Sequence, residues 1–302
     1  MERKLSMKQT ASLGSIRERI LTFGRMIKFS HTVFALPFAL AAVVLAQRVT
    51  PLTVQRLGWL LAAMVGARSA AMGFNRLADA RLDKMNPRTC GREIPTGKLT
   101  IRATVVFVIL FSGLFILSAA MFGRLCLYLS VPVLLLLFSY SYSKRFTVLC
   151  HLYLGLTISL APLGAWVALT GGFDWPILLL SLALLTYIAG FDVLYACQDI
   201  AFDRKEGLFS IPVRFGPAVA MYIAVGLHVL SLVFFIWLFF SFEMGSIYLV
   251  AVGFIGLLMF IEHRLVKPDD LSRIDIAFFH MNSLISITLF VGVLADELMR
   301  RS

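Results

Sequence analysis

Apolar stretches of membrane-crossing length recur along almost the whole chain. They fall at 30–47, 57–78, 101–121, 123–141, 147–169, 176–197, 217–240, 246–262 and 275–296. Lengths of about 17 to 25 residues are what an α-helix needs to cross a bilayer core of about 30 Å. In lipid only helices and closed barrels satisfy every backbone group, so these runs predict nine spanning helices in an all-α bundle. The third and fourth runs meet at "MFGRL", which predicts a tight connection. No soluble segment is long enough to form a domain of its own. The expected organisation is a basic arm over 1–28 and one membrane domain over 29–302.

Composition supports this pattern and fixes an orientation. Of 302 residues, 59% are hydrophobic and 15% are charged. A soluble chain carries roughly 25% charged residues, so a water-facing surface is excluded. The net charge of +11 implies no nucleic-acid partner in a chain of this kind. Excess Lys and Arg mark the cytoplasmic loops of membrane proteins. With the N-terminus inside, twenty-two Lys/Arg fall on the inner side and five on the outer, while Arg68 lies within a span. The chain is expected to sit in the bacterial cytoplasmic (inner) membrane, with its chemistry-bearing loops inside. The first thirty residues have no short apolar core before a cleavage site, so they read as a cytoplasmic arm. Cys90, Cys126, Cys150 and Cys197 are scattered without a CxxC pair, and His151, His228, His263 and His280 show no metal-ligand spacing.

Polar residues interrupt the greasy pattern in two places. Asn75, Asp79 and Asp83 follow one another every four residues at the end of the second span. Each step advances about 400°, which keeps all three on one helix face. Asp192, Asp199 and Asp203 end the sixth span, and their offsets also return close to whole turns. A single carboxylate at such a helix end is equally well a solvated charge. Two aligned clusters on one side of a membrane are not, because a carboxylate in lipid costs roughly 2.5–3.5 kcal/mol. Crowded carboxylates repel and need cations to stay ionised. Hard oxygen donors suit Mg²⁺, which typically binds through one or two carboxylates plus substrate phosphates. Arg88, Arg92, Lys98, Lys144, Arg145, Arg204 and Lys205 stand nearby to hold phosphate. Mg²⁺, a diphosphate and a lipid cavity together imply a lipid diphosphate as substrate.

These residues carry a resemblance. "NRLADARLD", continuing into "NPRTCGREIPTGK", resembles the NxxxDxxxD motif of the UbiA superfamily of intramembrane aromatic prenyltransferases. "DVLYACQDIAFD" resembles its DxxxD motif, and "YSYSKRFT" its loop after the fourth span. "KFSHTVFALPFAL" and "GARSAAMGFNR" look most like the 4-hydroxybenzoate polyprenyltransferase branch, which has relatives in the futalosine route to menaquinone. The resemblance implies Mg²⁺-dependent transfer of a polyprenyl group from polyprenyl diphosphate to an aromatic acid in quinone (ubiquinone or menaquinone) biosynthesis. Haem, chlorophyllide and naphthoate remain alternative acceptors. A polyprenyl-phosphate transporter or binding protein is the alternative of a different class.

The resemblance also assigns roles. Metal ligands map onto Asn75, Asp79, Asp83, Asp199 and Asp203. Diphosphate contacts are expected from Lys144, Arg145, Arg88, Arg92 and Arg204. Asp192 is the candidate for orienting or deprotonating the acceptor. Tyr140, Tyr142 and Tyr195 are candidates to face an allylic cation. Arg68, seven residues before Asn75, is expected to contact diphosphate or the acceptor carboxylate. His31 is a weaker candidate. Lys144 and Tyr195 join Asp192 and Arg68 in the expected catalytic set.

Overall fold

The computed structural model describes residues 21–27, 35–274 and 276–301. His31 and most of the basic arm lie outside these residues. Of the arm, residues 21–27 are described: Phe23 stacks on Phe107 at 4.6 Å, and Met26 is fully buried. Nine apolar helices follow, labelled α1 to α9 here. They are α1 (Leu36–Ala46), α2 (Val54–Ala78), α3 (Ile101–Ala120), α4 (Arg124–Ser139), α5 (Cys150–Thr170), α6 (Trp175–Ala196), α7 (Pro217–Ser241), α8 (Ser246–Leu265) and α9 (Asn282–Arg301). Eight candidates are long and apolar enough to cross a membrane, and α1 is the shorter one. Among the described residues this agrees with the expected bundle, with α1 starting later than the apolar run at 30–47.

The tight connection at "MFGRL" is real. Gly123 joins α3 to α4 at φ 112°, a conformation that favours glycine. The core of the bundle is α6. In its membrane-length stretch 78% of residues are buried, against 17–44% in the other long helices. It packs between α5 and α7, while α2 pairs with α3 and α8 with α9. Close approach depends on small residues, as is usual when lipid supplies no hydrophobic drive between helices. A Cβ on Gly155 of α5 would lie 2.3 Å from the Leu185 carbonyl oxygen of α6.

Two kinds of polar chemistry mark the two ends of the bundle. At one end, Arg48 beyond α1 pairs with Glu297 of α9 and donates to the Phe242 carbonyl. Beside it, Asp296 accepts from the backbone N–H groups of Gly245 (2.8 Å) and Tyr248 (3.1 Å), capping the start of α8. At the other end, the segments that follow the C-terminal ends of α2, α4 and α6 converge around a charged cleft. Helix C-termini carry partial negative charge, so this end attracts cations before any side chain is counted.

Candidate active site

The two acidic clusters meet because their helices continue past their apolar spans. α2 bends at Asp79 (φ −96°, ψ 3°) into a short helix, Ala80–Met85. Hydrogen bonds still run through the bend, from Asp79 N to Asn75 O (2.9 Å) and from Asp83 N to Asp79 O (2.8 Å). Asn75, Asp79 and Asp83 therefore stay on one face. α6 ends in a 3₁₀ turn, Cys197–Asp199, followed by a short helix, Ile200–Lys205. The tightened turn departs from ideal helical spacing, yet Asp192, Asp199 and Asp203 all face the same cleft as the first cluster. The third wall is the 3₁₀ segment Tyr140–Arg145 after α4. The cleft has a volume of about 190 Å³.

Inside it every acidic residue of the two helix-end motifs faces a base. Arg88 donates to both Asp199 oxygens, at 2.9 and 2.5 Å. Arg92 meets Asp83 at 2.6 Å, Lys144 meets Asp203 at 3.4 Å, and Arg145 meets Asp79 at 3.5 Å. Asn86 adds a hydrogen bond to Asp199 (3.2 Å), and Asn75 donates to Asp79 (3.0 Å). Burial, and next the charge of Asp83, push the Asp79 carboxyl above the usual carboxylate range, against the opposing pull of Arg145, Arg92 and Lys144. Burial works to lower Arg88, but its hydrogen bond and charge contact with Asp199 outweigh this and hold the guanidinium above its ordinary value. Tyr195 accepts from Arg88 at 3.1 Å and lies under its guanidinium.

Most of the expected site residues come together here: Asn75, Asp79, Asp83, Arg88, Arg92, Tyr140, Lys144, Arg145, Asp192, Tyr195, Asp199 and Asp203 all line the cleft. Three do not. Arg204 is exposed and points away, because it follows buried Asp203 by one residue and so sits about 100° round the helix. Tyr142 is outside the lining and stacks under Arg145, 4.8 Å from the guanidinium carbon. Arg68 lies in the wall of a second, apolar cavity of about 450 Å³, lined by α2, α3, α4 and α5. Seven residues of α2 place it about 10 Å from Asn75 along the axis, deeper in the bundle than the charged cleft.

Sequence reasoning also missed residues. Asn86, Ser141 and Ser143 line the cleft, and His151 stands behind it, 2.6 Å from Asp192. Asn86 lies in the quoted "NPRT" stretch, but its partner Asp199 is 113 residues away. No local spacing signals such a pair.

A model of the UbiA prenyltransferase family matches residues 35–284. The chain belongs to the UbiA prenyltransferase family. As a UbiA member it is a multi-pass membrane prenyltransferase. It is 30% identical over 240 residues to a 4-hydroxybenzoate octaprenyltransferase of Nitrosomonas eutropha, covering 76% of this chain and 80% of that one. It is 31% identical over 241 residues to the protein of that name in Pseudomonas fluorescens, covering 78% and 79%. Among solved structures, the apo UbiA homolog of Aeropyrum pernix has a TM-score of 0.80 at 31% identity, covering 88% of this chain and 98% of that one. A UbiA homolog from Archaeoglobus fulgidus bound to GPP and Mg²⁺ shares the fold, with a TM-score of 0.67 at 20% identity, covering 91% and 99%.

Do the UbiA-fold residues of this chain fit a divalent cation? Asp83 Oδ2 is buried without a hydrogen-bond partner. Such an oxygen is costly unless something positive meets it. The donors facing the cleft are carboxylates and an amide, hard ligands of the kind Mg²⁺ takes. Among the described residues no three acidic, His or Cys side chains stand together closely enough to hold an ion by themselves. That agrees with a cation that takes its remaining ligands from water and substrate phosphate. The residues fit the group, and Asn75, Asp79, Asp83, Asp199 and Asp203 would hold it.

Proposed function

We propose that the chain transfers a polyprenyl group from polyprenyl diphosphate to an aromatic acid, 4-hydroxybenzoate first among candidates, with Mg²⁺ and with the charged cleft on the cytoplasmic side. The observation that carries this reading is the cleft itself. Five oxygen-donor residues and four bases converge at the end of a bundle in which α2, whose last turn lines the cleft, also lines a large apolar cavity together with α3, α4 and α5. A diphosphate with an apolar tail has that polarity. The names of the relatives from Nitrosomonas and Pseudomonas support the acceptor, and the distribution of Lys and Arg supports the orientation.

The four ion pairs keep bases and carboxylates together in the cleft. With substrate present, Arg88, Arg92, Lys144 and Arg145 would bind diphosphate oxygens, and Asp79, Asp83, Asp199 and Asp203 would be left to hold the cation. When bound, Mg²⁺ neutralises the diphosphate, so that it leaves without protonation. The allylic C–O bond breaks and its electron pair goes to the diphosphate. Tyr140 and Tyr195 line the space where the allylic cation develops, and the apolar wall excludes the water that would quench it. The ring carbon ortho to the acceptor hydroxyl forms the new C–C bond, and loss of its proton restores aromaticity. Asp192, facing the cleft from α6, accepts that proton or orients the ring.

The reading is tested with purified protein, a set of prenyl diphosphates, and a panel of 4-hydroxybenzoate, a naphthoate and a non-phenolic benzoate. A product heavier than a phenolic acid by one prenyl unit supports it. Absence of product with every phenolic acid overturns it. Lys144 makes a narrower test. Its backbone oxygen accepts from Phe209 N–H at 2.7 Å, and its ammonium meets Asp203 in the cleft at 3.4 Å. A hydrogen bond to a charged group contributes about 1.5–3 kcal/mol. Lys144→Gln is therefore expected to raise KM for prenyl diphosphate at least about tenfold and to leave the acceptor KM nearly unchanged. The opposite ordering in steady-state kinetics would place this residue at the acceptor.

A further inference from the structure

Behind the cleft wall lies a contact that the expected site did not include. His151, in the first turn of α5, is fully buried and does not line the cleft, whereas Asp192 does. His151 Nδ1 stands 2.6 Å from Asp192 Oδ2. On the far side of the ring, the Ile211 backbone N–H donates to Nε2 at 3.4 Å. A nitrogen that accepts from an amide carries no proton of its own, so the ring proton sits on Nδ1 and points at the carboxylate. The same short segment before α7 holds the neighbouring elements. Phe209 N–H donates to the Lys144 carbonyl at 2.7 Å, and Cys150 Sγ lies 3.6 Å from the Phe209 carbonyl. One connection thus anchors both the backbone of Lys144 and the ring behind Asp192.

We propose that His151 is a positioning residue for Asp192. Held as the Nδ1–H tautomer by the Ile211 amide, it donates to Asp192 Oδ2, fixes the carboxylate in the cleft wall, and leaves Oδ1 for the acceptor. This rests on the reading of Asp192 as the acceptor-facing group. His151 does not relay the proton onward. Nδ1 already carries one, and Nε2 faces an N–H donor in a buried site. The proton lost by the ring stays on Asp192 until the acceptor product leaves.

The test compares His151→Asn with His151→Leu in purified, detergent-solubilised protein. Asn keeps an N–H donor near the position of Nδ1, whereas Leu keeps the bulk and removes the donor. Loss of alignment on the scale of 1 Å costs on the order of 10²-fold in rate. His151→Leu is expected to lower kcat by about that factor, with the Kd for a prenyl thiolodiphosphate within about twofold of wild type. His151→Asn is expected to recover most of the rate, which a merely space-filling role would not produce. A folded Leu variant with wild-type kcat overturns the assignment, as does an Asn variant as slow as Leu. Nitrogen-15 NMR of histidine-labelled wild type gives a second measurement that needs no variant. Nδ1 protonated and Nε2 bare is the expected state, and the reverse tautomer overturns the proposal. A wild type that prenylates no phenolic acid overturns the transferase reading itself, an outcome distinct from either of these.

Discussion

Asp79→Ala and Asp199→Ala are each expected to lose at least about a thousandfold in turnover while the protein remains folded in detergent. A cation that neutralises a leaving group contributes several kcal/mol to the transition state, and about 4 kcal/mol corresponds to that factor. Folding does not lean on these carboxylates to the same degree. Asp79 meets Arg145 at 3.5 Å, and the Arg145 side chain is 40% exposed, a geometry that contributes little to stability. Asp199 is more deeply paired, but its partner Arg88 is itself 32% exposed and rehydrates when the carboxylate is removed. The checks are turnover at saturating Mg²⁺ and the melting temperature of the same preparation. Asp→Asn is also expected to be severe, because it keeps the shape and removes the charge the cation requires. Near-wild-type turnover in any of these variants contradicts the metal assignment.

Asp192→Asn is the second large effect, and its pattern is different. The substitution keeps the shape of a group that accepts from His151, so the α5–α6 contact survives. What it removes is a base facing the acceptor. General base catalysis contributes about 10²–10⁴-fold, so kcat is expected to fall within that range. Affinity for a prenyl thiolodiphosphate is expected to stay within about twofold of wild type, the signature of an interaction made mainly in the transition state. Asp192 precedes Asp199 by seven residues, about 10 Å along a helix, which separates it from the cation that Asp199 would share. Kinetics and analogue binding measured side by side check both halves. Loss of analogue binding would move Asp192 into the metal site and overturn this division of labour.

The bundle and most of the cleft could be read from the chain because both are written in local spacing. Polar residues that recur on one helix face at the end of an apolar run have few explanations, and α2 and α6 each lead into such a set. Arg204 follows Asp203 by one residue, and one residue is about 100° of helix, enough to turn it out of the cleft. Arg68 shares an ideal helix face with Asn75 but lies about 10 Å deeper, and it lines the apolar cavity. Asn86 and His151 were missed because their partners, Asp199 and Asp192, lie 113 and 41 residues away. Such contacts exist only once α2, α5 and α6 are packed. The apolar cavity was legible in kind but not in shape, since every helix around it is uniformly greasy.

The central claim is that the cleft exchanges its own ion pairs for a cation and a prenyl diphosphate. Binding of geranyl S-thiolodiphosphate to the purified wild type, measured by calorimetry with Mg²⁺ and again with EDTA, tests it most directly. The expected result is binding with Mg²⁺, at least about a hundredfold weakening with EDTA, and the same weakening with Mg²⁺ in Asp79→Ala. Equal affinity in Mg²⁺ and EDTA would contradict it, because the bases alone would then hold the diphosphate and the carboxylates would have no cation to bind.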